Sequence, residues 1–176
     1  PFIYAIYIGL DNGDLFELVN LNAHSIVRNQ LGASQADRWV IIEIKDEGEN
    51  RVRHMRYYDN EFTLRTMNSE PTEYRANIRP WYTHAIAEQV SKTPPYLFQN
   101  LQSPGVTYST QISYGNAVLG VDIALSSISD YLNRLGKDVK GENSKEVFIF
   151  EASGDVIASN IAQTDEVIIP ASKPLQ

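Results

Sequence analysis

Within nine residues, Tyr74-Arg75-Ala76-Asn77-Ile78-Arg79-Pro80-Trp81-Tyr82, the chain places a fixed cation, an indole and two phenols. A guanidinium presents a planar fork of donors that matches a carboxylate at two points. Phenols and indoles wall a pocket with apolar faces and orient a ligand with one polar atom each. Tyr74, Arg79, Trp81 and Tyr82, with Tyr96 further along, therefore have the chemistry of a receptor for a small carboxylate. The same residues also read as ordinary core, with the arginine stacked or paired at the surface.

These residues need an element to hold them. Pro80 suits the first position of a helix, where its missing N–H costs nothing. Ile78, Trp81, Tyr82, Ala85, Ile86 and Val90 then recur at helical spacing on one face, with Thr83, His84, Ala87, Glu88 and Ser91 on the other. Thr93-Pro94-Pro95 stops that helix, and Tyr96-Leu97-Phe98 comes next as an extended run.

Residues 106–114 and 117–125 form a hairpin about Gly115-Asn116, a two-residue turn. That turn sets Ser109 opposite Asp122, Gln111 opposite Gly120 and Thr107 opposite Ala124. Tyr108, Ile112, Leu119 and Ile123 share one face, which is expected to be core. The other face carries Thr107, Ser109, Gln111, Gly120, Asp122 and Ala124. It reads either as a solvent face or as a wall where Gly120 and Ala124 leave room for a ligand beside Asp122.

Arg79-Pro80-Trp81-Tyr82 with Tyr74 ahead, then Thr93-Pro94-Pro95-Tyr96 and Gly120-Val121-Asp122-Ile123, resembles the double Cache family of bacterial extracytoplasmic sensors. The similarity runs from the first strand to about Tyr131 and weakly beyond. The resemblance implies an α+β fold, a PAS-like antiparallel sheet flanked by helices, followed by the start of a second Cache module. It implies that Arg79 and Trp81 hold a ligand carboxylate, that Tyr74, Tyr82 and Tyr96 line the pocket, and that Asp122 takes an ammonium. The ligand would be an amino acid or organic acid. The Arg-Pro-Trp-Tyr core is shared by Cache domains of unlike ligands. The chain would be the sensor part of an inner-membrane signal-transduction protein, facing the periplasm. Its output module, a kinase, a cyclase, a cyclic-dinucleotide enzyme or a chemoreceptor, would lie elsewhere, and the receptor would be a homodimer. A Cache module without a ligand, serving as a spacer or a platform for a partner protein, is the alternative.

Composition narrows the classes. The net charge of −7 lacks the basic footprint of a nucleic-acid binder and opposes docking on an anionic membrane. Without cysteine there is no disulfide framework, thiolate nucleophile or zinc-thiolate site. No apolar run approaches the roughly 20 residues of a membrane span, so membrane attachment would come from segments outside this chain. His24, His54 and His84 do not pair at the spacing of a helical metal site, and Asp11-Asn12-Gly13-Asp14 reads as a hairpin turn rather than a calcium loop. No nucleophile elbow, phosphate loop or dinucleotide fingerprint occurs, so neither catalysis nor a cofactor is expected.

In chain order, residues 2–10 read as a central strand, apolar on both faces and therefore covered on both sides. A strand of that kind at the very start predicts an upstream element, a helix after a membrane segment. Residues 15–21 return as its partner, and 22–30 form a short helix ending at Leu31-Gly32. Residues 38–45 and 51–58 are strands about a polar loop, 61–67 a third strand, and 68–72 a loop. Ser127-Ile128-Ser129-Asp130 opens a helix with Ile128, Tyr131, Leu132 and Leu135 on one stripe, and 137–145 is a charged linker. The run Ile6–Leu15 can be laid on Val147–Val156, strand, Gly-Asp turn and strand in each. The domains are thus 1–125 as a membrane-distal ligand-binding module, 126–145 as connecting helix and linker, and 146–176 as part of a membrane-proximal module.

Overall fold

The computed structural model describes residues 3–23, 25–98, 103–113, 116–125, 128, 132, 147–150, 154 and 156–159. The strands are β1 (Ile3–Gly9), β2 (Leu15–Asn20), β3 (Trp39–Glu47), β4 (Asn50–Tyr58), β5 (Leu64–Pro71), β6 (Ser91–Lys92), β7 (Tyr96–Phe98), β8 (Ser103–Gln111) and β9 (Val118–Ala124). They form one antiparallel sheet in the order β5-β4-β3-β2-β1-β9-β8-β6, with β7 also paired to β8. Helix α1 (Ser25–Gln30), a 3₁₀ turn (Ala76–Ile78) and helix α2 (Pro80–Thr83) are short. The fold is α+β, as the sequence predicts. β10 (Phe148–Phe150) and β11 (Val156–Ser159) make a separate antiparallel pair. The connecting helix over 127–135 falls outside the described residues except for Ile128 and Leu132, and His24 lies outside them as well.

The Asp11–Asp14 turn closes as expected. Leu10 N–H donates to Asp14 O at 2.9 Å, and Gly13 takes φ +91°, a conformation costly for any side chain. Gly154, between β10 and β11, has φ +90°. β3 alternates as the sequence predicts, Val40, Ile42 and Ile44 inward and Trp39, Ile41 and Glu43 half-buried. The core lies on that inner face, where Tyr4, Tyr7, Leu15, Val19, Ile42, Tyr57 and Trp81 pack together.

Several expectations are corrected. The helix begun at Pro80 ends at Thr83. Instead of continuing, the chain pairs with β8: Gln111 N–H and Thr110 Oγ1 donate to Ile86 O, and Ala87 bridges Gln111. Glu88, at φ 60°, is outside helical space altogether. Tertiary hydrogen bonding to a sheet edge has overridden a short amphipathic pattern. Ile86 and Val90 consequently point outward, at 52% and 72% exposure, and Ile78, in the 3₁₀ turn ahead of the helix, is 65% exposed. The third strand is displaced, running over Leu64–Pro71 rather than 61–67.

The β8–β9 register is shifted by two residues. Asp122 faces Thr107, not Ser109, and Ser109 faces Gly120. The pairing closes earlier, with Ile112 N–H donating to Ala117 O, so the connection exceeds two residues. An even shift preserves faces, and Thr107, Ser109, Gly120, Asp122 and Ala124 remain together. That polar, small-residue face is the buried one, whereas Tyr108, Ile112, Leu119 and Ile123, expected as core, are half-buried or exposed. The outer side of β1 likewise leaves Ile6 and Ile8 exposed, so the strand is covered on one face among the described residues. One-turn α2 is the helix that packs on β8 and β9.

Gly120 shows what the inner face requires. A Cβ there would lie 2.1 Å from Tyr7 Cε2, because the Tyr7 ring lies across the bare backbone of β9. Gly120→Ala is expected to displace that ring and cost about 1–3 kcal/mol, read as a lowered midpoint in urea unfolding, with Val121→Ala on the outer face as the comparison.

Candidate functional site

A cavity of about 700 Å³ opens on the inner face of the sheet. Strand residues Tyr7, Glu17, Ile42, Arg53 and Asp122 form its floor, the segment from Thr72 to Trp81 closes one side, and Tyr96, Leu97 and Phe98 of β7 close another. The size suits a ligand of amino-acid to small-drug dimensions.

Asp122 is 7% exposed. Tyr7 donates its phenolic proton to Asp122 Oδ1 at 2.6 Å, and Thr107 Oγ1 donates to the same oxygen at 2.5 Å. With its proton so used, Thr107 accepts from Tyr96 OH at 2.6 Å, and its backbone N–H is held by Thr93 Oγ1 at 3.0 Å. Two hydroxyls thus bind one carboxylate oxygen directly, and Tyr96 braces one of them. Among the described residues no hydrogen bond reaches Oδ2. Burial pushes the Asp122 carboxyl up to about 6, the bonds from Thr107 and Tyr7 pulling the other way. The Tyr7 and Tyr96 phenols are pushed well above their ordinary range by burial and by the neighbouring Asp122 charge, so both act as neutral donors.

Arg79 caps α2 from an extended backbone, φ −83° and ψ 146°, which turns its side chain into the cavity as the helix starts. Its guanidinium lies over the Tyr74 ring, 4.4 Å from the centroid, a cation–π contact. Nε is buried and has no hydrogen-bond partner among the described residues. A buried charged donor left unpaired is costly, so this N–H marks a position for an acceptor. Tyr74 is pushed up to about 12 by burial and by the Glu17 charge. Trp81 is packed edge-on against Tyr7, with centroids 4.7 Å apart, and its ring fills the space a Cβ on Gly9 would need.

Five of the six residues singled out from sequence, Tyr74, Arg79, Trp81, Tyr96 and Asp122, line this one cavity. Tyr82 does not. Its ring packs on Trp81 and its hydroxyl donates to Asn116 O at 2.6 Å, which ties α2 to the β8–β9 connection. Sequence reasoning missed Tyr7, Thr107, Arg53 and above all Glu17. The signal for Glu17 was present: Leu15, Glu17 and Val19 alternate onto the buried face of β2, and a carboxylate on a core face is the exception that calls for a reason.

Glu17 is 9% exposed and makes no hydrogen bond or ion pair among the described residues. Burial first, then the Asp122 charge, push its carboxyl up to about 7, with Arg53 opposing. Arg53 is itself engaged by Glu70, Nη1 to Oε1 at 3.2 Å.

No known family profile matches the chain, and no curated protein matches it. Two solved structures are similar. One is the ligand-binding domain of the Campylobacter jejuni chemoreceptor Tlp3 in complex with 4-methylisoleucine, at 18% identity and a TM-score of 0.46, covering 90% of this chain and 44% of that one. The other is the sensory domain of Tlp3 (CcmL), at 16% identity and a TM-score of 0.46, covering 90% and 46% respectively. The chain thus spans less than half the length of either. Among the described residues no helix is long and apolar enough to cross a membrane.

The raised Glu17 carboxyl has a consequence for stability. Its value of about 7 exceeds the ordinary 4.5, so the folded chain holds the proton more tightly than the unfolded chain. Stability from this group is complete below pH 4.5 and is lost as the pH rises to 7, an effect on the order of 3 kcal/mol. Asp122 adds a smaller fall of the same sign. Urea unfolding of the ligand-free chain between pH 5 and 8 should therefore show stability falling with pH, and Glu17→Gln should remove the larger part of the slope. An unchanged slope in the variant would place the titration elsewhere.

Proposed function

We propose that this chain is the ligand-binding module of an extracytoplasmic sensor and that its cavity takes an α-amino acid. The observation that carries this reading is the pairing of opposite vacancies in one cavity. Arg79 offers an unpartnered buried N–H beside the Tyr74 ring, and Asp122 offers a desolvated carboxylate with both of its protein bonds on one oxygen. A zwitterion satisfies both, its carboxylate on Arg79 and its ammonium on Asp122 with the Tyr7 and Tyr96 rings beside it. A simple carboxylate would leave Asp122 unmatched, and a simple amine would leave Arg79 unmatched.

The resemblance of the Arg79-Pro80-Trp81-Tyr82 motif supports the wider setting. In that setting residues 1–125 are the membrane-distal module, 126–145 a connector, and 146–176 the start of a membrane-proximal module, in a homodimeric receptor of the bacterial inner membrane. Binding would shift a two-state equilibrium by differential affinity, and the output would be made by a module outside this chain. The ligand is bound and released unchanged.

Two substitutions test the site by calorimetric titration against a panel of α-amino acids and their deaminated acids. Arg79→Lys keeps the charge but loses the fork, and should weaken every carboxylate ligand with the melting temperature retained. Asp122→Asn should cost amino-acid ligands about 2–5 kcal/mol and leave the deaminated acids equal or tighter. Equal behaviour of the two ligand sets in Asp122→Asn would remove the ammonium site. Failure of the wild-type chain to bind any of them would favour a ligand-free platform for a partner protein.

A further inference from the structure

An α-amino acid seated as proposed answers Arg79 and Asp122 but not Glu17. The cavity walls carry Glu17, Glu73 and Asp122 against Arg53 and Arg79. Arg53 is engaged by Glu70 and Glu73 is exposed to solvent, so once Arg79 and Asp122 are neutralised by the zwitterion one buried negative charge is left over. That charge is Glu17, more than nine-tenths buried, lining the cavity and without a hydrogen bond or ion pair among the described residues.

Sheet register says where it sits. Tyr7 pairs with Glu17 on β2 and with Gly120 on β9, so the three residues form one row across the sheet. The Tyr7 ring leans to the β9 side, across Gly120, to reach Asp122. Glu17 is left on the uncovered side of that ring. Asp122 is two residues along β9 from Gly120 and pairs with Ala5. From strand spacing and rise, the Glu17 and Asp122 Cα atoms are roughly 12 Å apart on one face. The two carboxylates therefore rise from positions on either side of Tyr7, near enough for the Asp122 charge to act on Glu17, and an ammonium seated on Asp122 Oδ2 is not by itself a partner for Glu17. Ile42, Ile44 and Leu15 line the cavity around the Glu17 side, a lining suited to methylenes.

We infer that Glu17 is the specificity-determining residue of the cavity and selects amino acids with a cationic side chain, of the lysine, ornithine or arginine type, whose second cation it receives. The inference rests on the amino-acid reading of the site. Methylenes of such a ligand would run past Tyr7 over the aliphatic floor, and the terminal cation would supply the partner that Glu17 lacks. The other charged and titratable groups facing Glu17 are Asp122, Arg53, Tyr7 and Tyr74; Arg53 offsets its charge in part, and none of the four makes a hydrogen bond or ion pair with it. A neutral aliphatic ligand of the same length would bury the carboxylate against hydrocarbon, which is costly.

The test is calorimetric titration of the whole chain at pH 8, where Glu17 is ionised, with L-lysine, L-ornithine, L-norleucine and 1,5-diaminopentane. Norleucine is lysine without its terminal amine. Lysine or ornithine is expected to bind on the order of 30-fold or more tightly than norleucine, and Glu17→Gln is expected to erase that preference while norleucine binds the variant as well as or better than the wild type. Norleucine binding the wild type as tightly as lysine would overturn the role of Glu17 and leave the amino-acid site standing. A preference for lysine that survives Glu17→Gln would overturn it equally. The diamine binding as tightly as lysine would leave Glu17 in place and overturn the carboxylate role of Arg79. No binding by any of the four, with other amino acids bound, would overturn the side-chain assignment alone; no amino acid bound at all would overturn both.

Discussion

The phenol of Tyr7 packs closely over Gly120 and donates to Asp122, and the cavity depends on that contact. Because β9 has no side chain at that position, the ring occupies the strand surface itself rather than the space above it. The carboxylate it reaches is buried, yet held by Thr107 as well, and Thr107 is in turn held by Tyr96 and Thr93. The donor roles of Tyr7, Thr107 and Tyr96 follow in turn from the carboxylate at the end of the network, and Thr93 Oγ1 accepts from the Thr107 backbone N–H. A buried polar network of this kind fixes geometry when fully satisfied. Here it also leaves one oxygen of Asp122 available on the cavity side.

The floor and the wall meet through small contacts rather than a large packed helix. Trp81 closes against Gly9 and Tyr7, and Tyr82 anchors α2 to Asn116 O. A single helical turn suffices because Arg79 lies in the extended backbone that precedes it, not on the helix face. Beyond α2, the segment around Ile86 is held to the edge strand β8 by backbone hydrogen bonds, so the wall is joined to the sheet at both of its ends.

Much of this is legible in the residues. A continuous apolar run marks β1 and alternation marks β3, the Gly13 and Leu31-Gly32 stops place the first turns, and Tyr74, Arg79, Trp81, Tyr96 and Asp122 stand out by residue type and spacing, though not by their meeting place. The parts that are not legible have physical causes. The apolar spacing after Pro80 fits a helix, but Ile86 and Ala87 find hydrogen-bond partners on β8 that a local pattern cannot reveal. The two-residue slip of β8 against β9 depends on where the connection closes, and it changes every partner without changing any face. The inner face of β8 and β9 is hard to read because a face of Thr, Ser, Gly and Asp resembles a wet surface; it is buried here because Tyr7 packs over Gly120 and the Tyr7 and Tyr96 hydroxyls engage Asp122 and Thr107. Glu17 escapes notice for the same reason in reverse, as a charge among apolar residues on a strand that otherwise reads as core.

Arg51 stands outside the cavity, yet it ties together the parts that frame it. It is buried on β4, donates from Nη2 to Gly13 O at 2.5 Å, from Nε to Tyr74 O at 2.6 Å, and pairs with Asp46 at 2.7 Å and Asp14 at 3.2 Å. One guanidinium thereby staples the first hairpin, the end of β3 and the entry to the Tyr74–Trp81 wall. Loss of Arg51 would free the Tyr74 carbonyl and the Gly13 turn together, and so displace the wall that carries Arg79 without altering any residue that lines the cavity.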